Sequence, residues 1–158
     1  MKFSVLLPTR NRLSLLKYAI DSVLKQDETD FEIIISDNYS DEDIESYIKT
    51  LNDSRIKYFR TNSFLSVTEN WNQALNRSSG DWIIMLGDDD CLMKGYFSTM
   101  RKLLANYHNP DFIYTHGFLF AYPKVLPQFP QGVARTASNA SFFVDNKEPN
   151  WLSHEEAV

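Results

Sequence analysis

A chain of 158 residues, 43% apolar and 23% charged, has the size and composition of one globular domain with a buried core. A net charge of −5 with scattered Lys and Arg excludes nucleic acid as a partner and shows no polybasic membrane segment. No apolar run nears the roughly 20 residues that span a bilayer, the apolar stretch after Met1 is too short for a secretion signal, and the single cysteine, Cys91, permits no intrachain disulfide, which together indicate a cytoplasmic protein.

Residues 3–8 are apolar without a helical period, as a buried strand requires. The polar turn Thr9-Arg10-Asn11-Arg12 leads into Leu15, Leu16, Ala19, Ile20, Val23 and Leu24. That spacing predicts a helix over 13–25, capped by Ser14 or Asn11. Residues 31–36, centred on Ile33-Ile34-Ile35, read as a second buried strand, followed by a polar loop from Asp37 to Asp41. A short helix over 42–51 sets Ile44, Tyr47, Ile48 and Leu51 on one side. A third strand, 56–59, precedes a helix over 67–77 with Trp71, Ala74 and Leu75 inward, stopped by Ser78-Ser79-Gly80. The fourth strand, 82–86, runs into Gly87-Asp88-Asp89-Asp90.

Continuous apolar strands alternating with amphipathic helices imply an α/β fold, Rossmann-like, with a mostly parallel sheet and helices on both faces. Ligands of such sheets bind beyond the carboxyl ends of the strands, and three polar loops leave there, 9–12, 37–41 and 87–90. After Cys91 the pattern weakens. A helix is predicted over 96–107, with Phe97, Met100, Leu103 and Leu104 inward, and a strand over 111–115. Residues 118–158 carry many aromatics, four prolines and Gly132 without a long periodic element, the mark of a functional loop or part of a subdomain. This divides the chain into an α/β domain, 1–116, and an irregular segment, 117–158. The ending His154-Glu155-Glu156-Ala157-Val158 has helical character and no stop signal, as in the N-terminal part of a longer protein.

The acid run at 88–90 is the feature that carries chemistry. Three carboxylates at a strand end repel one another, at a cost in stability unless a cation or a ligand's hydroxyls take up the charge. A hard divalent ion held by one or two carboxylates and a substrate's phosphates is the usual solution. Taken alone, the run is equally a solvated acidic turn, Asp37 a strand terminator or helix cap, and Thr9 and Arg10 turn and surface residues. Cys91, beside three acids, is read as packing, because negative neighbours disfavour the thiolate.

Three segments together carry a resemblance: Ser4-Val5-Leu6-Leu7-Pro8-Thr9-Arg10-Asn11-Arg12, Phe31-Glu32-Ile33-Ile34-Ile35-Ser36-Asp37-Asn38-Tyr39-Ser40-Asp41, and Gly80-Asp81-Trp82-Ile83-Ile84-Met85-Leu86-Gly87-Asp88-Asp89-Asp90. In this order and spacing they resemble glycosyltransferase family 2, the inverting nucleotide-sugar enzymes of GT-A fold. Asn70-Trp71-Asn72-Gln73-Ala74-Leu75 is similar to the family's helix before the fourth strand. The resemblance implies that Pro8, Thr9 and Arg10 border the nucleobase, with Thr9 near the uracil or its ribose. It implies that Asp37 accepts a hydrogen bond from the base's imide N–H. Asp89 would touch the ribose or the water shell of a metal, and Asp90 would coordinate Mn²⁺ or Mg²⁺ at the diphosphate. Gly87 departs from the family's Asp-X-Asp-Asp pattern at its first acid, and Asp88 is acidic where a small residue is common. Which of Asp88 and Asp89 contacts the sugar nucleotide stays open.

An inverting transfer needs a base within reach of the acceptor hydroxyl. The family places it well after the metal motif, which leaves Glu155 and Glu156 as candidates, against the reading of a solvated helix face. The implied activity is metal-assisted transfer of a sugar from a nucleotide diphosphate, by family habit UDP, to a glycan or lipid-linked acceptor. The alternative is a non-catalytic module that holds a nucleotide sugar without transferring it. A phospho-acceptor receiver domain would need an acidic pair where Pro8-Thr9-Arg10 stands. The aromatics Phe118, Phe120, Tyr122, Phe129, Phe142 and Phe143 suit a membrane-facing or subunit-facing surface, which would place the protein peripherally at the inner face of a membrane.

Overall fold

The structure is a computed structural model that describes residues 1–107, 110–115, 118–121, 127, 128, 130 and 133–136. Strands β1 (Phe3–Thr9), β2 (Phe31–Asp37), β3 (Ile56–Arg60) and β4 (Trp82–Met85) form one parallel sheet in the order β3-β2-β1-β4. Between them run α1 (Leu13–Leu24), α2 (Ile44–Leu51) and α3 (Val67–Leu75), and α4 (Tyr96–Asn106) follows. The central strands are buried on both faces, so Val5, Leu6 and Leu7 and their partners Ile33, Ile34 and Ile35 are all inside the core. That is why they read as unbroken apolar runs instead of alternating ones. Successive side chains point to opposite faces. On one face Leu6 and Ile34 meet Ala74 and Trp71 of α3; on the other, Phe3 stacks on Phe97 of α4 with ring centroids 5.1 Å apart. α1 buries Leu16, Ala19, Ile20 and Val23, one helical stripe. Gln26, just past its end, ties it to the start of α4 by accepting from the Tyr96 N–H at 3.0 Å.

The helix starts differ from their sequence reading in one instructive place. The residue that caps α1 is Arg12, with no side-chain cap bond, and neither Ser14 nor Asn11 serves. The Asn11 side chain is committed elsewhere, donating to Asp41 Oδ2 at 3.1 Å and accepting from the Asp41 N–H at 2.7 Å. The orphan N–H of Leu13 instead reaches Glu42 Oε2 at 2.7 Å. α2 is capped by Asp43, and α3 by a reciprocal Ser66–Glu69 capping box. Gly80 is needed for close approach, not to stop α3, which ends at Leu75. A Cβ there would lie 2.7 Å from the Ser4 backbone nitrogen and 2.8 Å from the Lys2 carbonyl oxygen.

The chain divides into two compact units, Met1–Asn109 and Pro110–Val158. Within the second, residues 111–115 form no strand. Phe112 and Tyr114, which share one face of the expected strand, stay 60% and 58% exposed. Phe112-Ile113-Tyr114 is an apolar run, but its two aromatic side chains are not buried. β5 (Phe118–Ala121) and β6 (Val133–Thr136) form an antiparallel pair, with Phe118 opposite Thr136. Two four-residue strands of mixed composition leave little period to read.

At the amino end of the sheet, Glu32 is 2% exposed. Its oxygens accept from Lys2 Nζ at 2.8 Å, Lys57 Nζ at 2.7 Å, Ser4 Oγ at 2.7 Å and the Ser79 N–H at 2.6 Å. Burial pushes its carboxyl up, but the two ammonium groups and the neutral donors outweigh it and hold the group far below the carboxylate range. A depressed folded value means that its stabilisation is present above the ordinary glutamate range and is lost as pH falls through the folded one. Glu32→Gln should cost about 1.5–3 kcal/mol at neutral pH, because the lysines are themselves partly in water and the loss is nearer one charged hydrogen bond than a sealed ion pair. Denaturant melts across the acid range should show the variant losing less stability than wild type on acidification.

Candidate functional site

The parallel register lines up the carboxyl edge. Thr9 of β1 stands opposite Asp37 of β2, and Asp37 opposite Arg60 of β3, so three polar residues form one row. β4 runs beside β1 only as far as the Leu6–Met85 pair, after which the Leu86 N–H donates to the Leu6 carbonyl at 3.1 Å. Pro8, two residues beyond Leu6 and facing the same side, therefore lacks its N–H where β4 has already ended. That is how a central strand accepts a proline.

The acid loop closes over the end of β1. Thr9 Oγ1 donates to Asp88 Oδ2 at 2.7 Å, and both residues are buried. Arg12 Nη1 donates to Asp88 Oδ1 and to Asp89 Oδ2, each at 3.2 Å. Asp88 thus turns inward with both oxygens engaged, while the Asp89 side chain is 54% exposed. The Asp90 N–H turns back to the Gly87 carbonyl at 3.1 Å. The Asp90 carboxyl lies at the rim with its titration raised. Partial desolvation is the main cause, the negative Asp89 and Asp88 add to it, and the Gly87 N–H draws it back. Gly87 makes room for this crowding, since a Cβ there would sit 2.9 Å from Asp90 Oδ2 and 3.0 Å from Asp89 Oδ1.

The loops after β1 and β2 are laced together. The Asn38 N–H donates to the Thr9 carbonyl at 2.9 Å, and the Asn11 N–H to Ser40 Oγ at 2.9 Å. Asn11 and Tyr39 hold φ of 52° and 56°, left-handed backbone that non-glycine residues seldom adopt and that gathers at ligand-binding turns. Asp37 is wholly buried. Its Oδ1 accepts from the Ser40 N–H at 3.0 Å and its Oδ2 from the Tyr58 hydroxyl at 2.7 Å, with Arg60 Nε 3.9 Å away. Burial, then the hydrogen bond and charge of Asp37, push the Tyr58 phenol up. The helix-cap reading of Asp37 fails because Asp43 does that work. Asn38 clamps the next loop, donating to the Leu65 carbonyl and accepting from the Leu65 N–H, both at 2.8 Å. Arg10 is exposed, its guanidinium 4.2 Å from the Phe64 ring centroid, and Arg60 lies 4.9 Å from that of Tyr39.

The structure therefore gathers Pro8, Thr9, Arg10, Asp37, Asp88, Asp89 and Asp90 at one edge of one sheet. Arg12, Tyr58 and Arg60 join them without having been singled out in the sequence. The signal for Tyr58 and Arg60 was their place at the end of the strand after Asp37; Arg12 gave none beyond its charge. Glu155 and Glu156 lie outside the described residues. Among the described residues no three His, Cys, Asp or Glu side chains make a metal cage. The donor set at the rim, Asp90 with Asp89 beside it, is hard oxygen and acidic. It fits a divalent ion that takes one or two carboxylates and completes its shell from phosphates and water.

Residues 4–148 match the family model described as Glycosyl transferase family 2. GalNAc(5)-diNAcBac-PP-undecaprenol beta-1,3-glucosyltransferase of Campylobacter jejuni is 42% identical over 104 residues, covering 64% of this chain and 34% of its own length. The putative colanic acid biosynthesis glycosyl transferase WcaA of Escherichia coli is 31% identical over 135 residues, 81% of this chain and 48% of its own. The chain thus spans less than half the length of these relatives. Among solved structures, S. aureus TarS 1-349 in complex with UDP-GlcNAc superposes with a TM-score of 0.61 at 22% identity, over 67% of this chain and 32% of that one. The mannosyltransferase PcManGT from Pyrobaculum calidifontis, in complex with GDP-Man and Mn²⁺, does so at 0.60 and 20%, over 66% and 32%. At such identities the likeness is one of fold, the GT-A fold.

Asp90 also gives a test of whether the rim is structural. A carboxyl raised in the folded state stabilises the fold less once ionised, so it should weaken stability as pH climbs through the carboxylate range. Asp90→Asn should melt at or slightly above wild type at neutral pH, and the difference should close on acidification below about pH 4. A variant that melts well below wild type would make Asp90 a structural residue.

Proposed function

The chain belongs to glycosyltransferase family 2, and on that premise we propose that it forms the donor-binding part of an inverting, metal-assisted transferase. The donor is a nucleotide diphosphate sugar, UDP-linked in the first instance, and the acceptor a glycan or a lipid-linked glycan. The observation that carries the reading is the meeting of Thr9, Asp37 and the 88–90 loop at one sheet edge, tied by the Thr9–Asp88 hydrogen bond.

Pro8, Thr9 and Arg10 border the base. Asp37 accepts the imide N–H. Each of its oxygens keeps a lone pair after Ser40 and Tyr58 are served, and the loop 38–41 that covers it shifts to admit the base. Of the two acids left open by the sequence, Asp89 faces the ribose, because Asp88 is occupied inside. Mn²⁺ or Mg²⁺ held at Asp90 would neutralise the charge that gathers on the departing diphosphate. Glu155 or Glu156 serves as the base toward the acceptor hydroxyl. The Campylobacter relative carries PP-undecaprenol in its name, which supports a lipid-linked acceptor and peripheral work at a membrane. No helix among the described residues is long and apolar enough to cross one.

A melting series with UDP, with and without Mn²⁺ or Mg²⁺, tests this. Specific binding at about a hundredfold excess over Kd adds about 2.7 kcal/mol to the folded state. The expected result is a shift with nucleotide and metal together, abolished by chelator. Equal shifts with and without chelator would remove the metal role, and no shift with UDP and metal together would remove the UDP donor site.

A further inference from the structure

Arg12 breaks a local rule. It caps α1, where Ser, Thr, Asp or Asn is favoured and where the positive end of the helix dipole disfavours a cation. Its side chain makes no cap bond, and Glu42 supplies the acceptor that the Leu13 N–H needs. A side chain placed against the dipole, with another residue doing the capping, is held by something else. That something is the acid loop. One guanidinium nitrogen reaches two consecutive carboxylates, Asp88 and Asp89, each at 3.2 Å. Thr9 takes the second oxygen of Asp88. Asp88 is therefore clamped at both oxygens and cannot swing to the rim.

We propose that Arg12 is a positioning residue of the donor site, one that turns Asp88 inward and fixes Asp89 at the rim. The loop then presents Asp89 and Asp90 to a nucleoside diphosphate and its divalent ion. With Arg12 removed, Asp88 keeps only the hydrogen bond from Thr9, and its second oxygen can turn toward that face. A third carboxylate on that face would repel the diphosphate and pull the ion out of place. Its charge also offsets part of the loop's self-repulsion from within the fold. The inference rests on the donor-site reading above.

The test titrates UDP with Mn²⁺ calorimetrically into wild type, Arg12→Gln, Arg12→Lys and Glu42→Ala, with a melting curve for each. Arg12→Gln should bind Mn²⁺–UDP about tenfold more weakly, the worth of one charged hydrogen bond. Arg12→Lys, which keeps the charge, should recover part of that loss and covers the case in which the Gln variant does not fold. Glu42→Ala, which uncaps the same helix without touching the acid loop, should melt lower yet bind as wild type does. Wild-type or tighter binding by Arg12→Gln overturns the proposal. So does an equal loss in Glu42→Ala, which would make the effect one of helix α1 alone. A wild type that binds no Mn²⁺–UDP overturns the donor-site reading and this inference with it.

Discussion

The hydrogen bond from Thr9 to Asp88 joins the last residue of the central strand to the loop after an edge strand, and the candidate site hangs on that link. A parallel sheet delivers all of its carboxyl-end loops to one edge, but it does not fix how they lie. Here the 2.7 Å bond pulls the 87–90 turn down over β1. A charged acceptor buried at that depth is costly unless its oxygens are served. Thr9 and Arg12 serve them. Hydrogen bonds through Asn11, Asn38 and Ser40 then lace the 9–12 loop to the 37–41 loop, with Asp37 opposite Thr9 in the register. The result is a hydrogen-bonded floor under a rim of acids.

The two ends of the sheet solve the same electrostatic problem differently. At the amino end the chain supplies every counter-charge that Glu32 needs, from Lys2 and Lys57, and that end is closed. At the carboxyl end the Arg12 guanidinium reaches Asp88 and Asp89. Asp90 keeps a raised titration there, led by desolvation and reinforced by its acidic neighbours. Among the described residues, every buried side-chain polar atom has a hydrogen-bond partner. Asp89 and Asp90 lie exposed at the rim, where a cation and a diphosphate can reach them.

Much of this was legible in the sequence, for physical reasons. Strands buried on both faces announce themselves as apolar runs, and Ile33-Ile34-Ile35 did so. Amphipathic stripes such as Leu16, Ala19, Ile20 and Val23 gave the helices within a residue or two of their ends. The three loops followed from the topology. The side-chain partners were not legible, since Arg12 and Asp88, or Tyr58 and Asp37, lie far apart in the chain and no local spacing pairs them. The cap of α1 was misread for the same reason, because Glu42 reaches it from another element. Residues 111–115 carry a short apolar run whose aromatics stay exposed, and β5 and β6 were too short and mixed to show a period.

The central claim is that the carboxyl edge of the sheet, not any other face, receives a nucleoside diphosphate with a divalent ion. Amide hydrogen exchange of the chain with and without UDP and Mn²⁺ tests it most directly, because each loop reports separately. The account predicts new protection concentrated in 9–12, 37–41 and 86–90, with the amides around Glu32 and Ser79 at the other end unchanged. Protection centred on that amino end, or ligand binding that leaves all three loops unprotected, would contradict it.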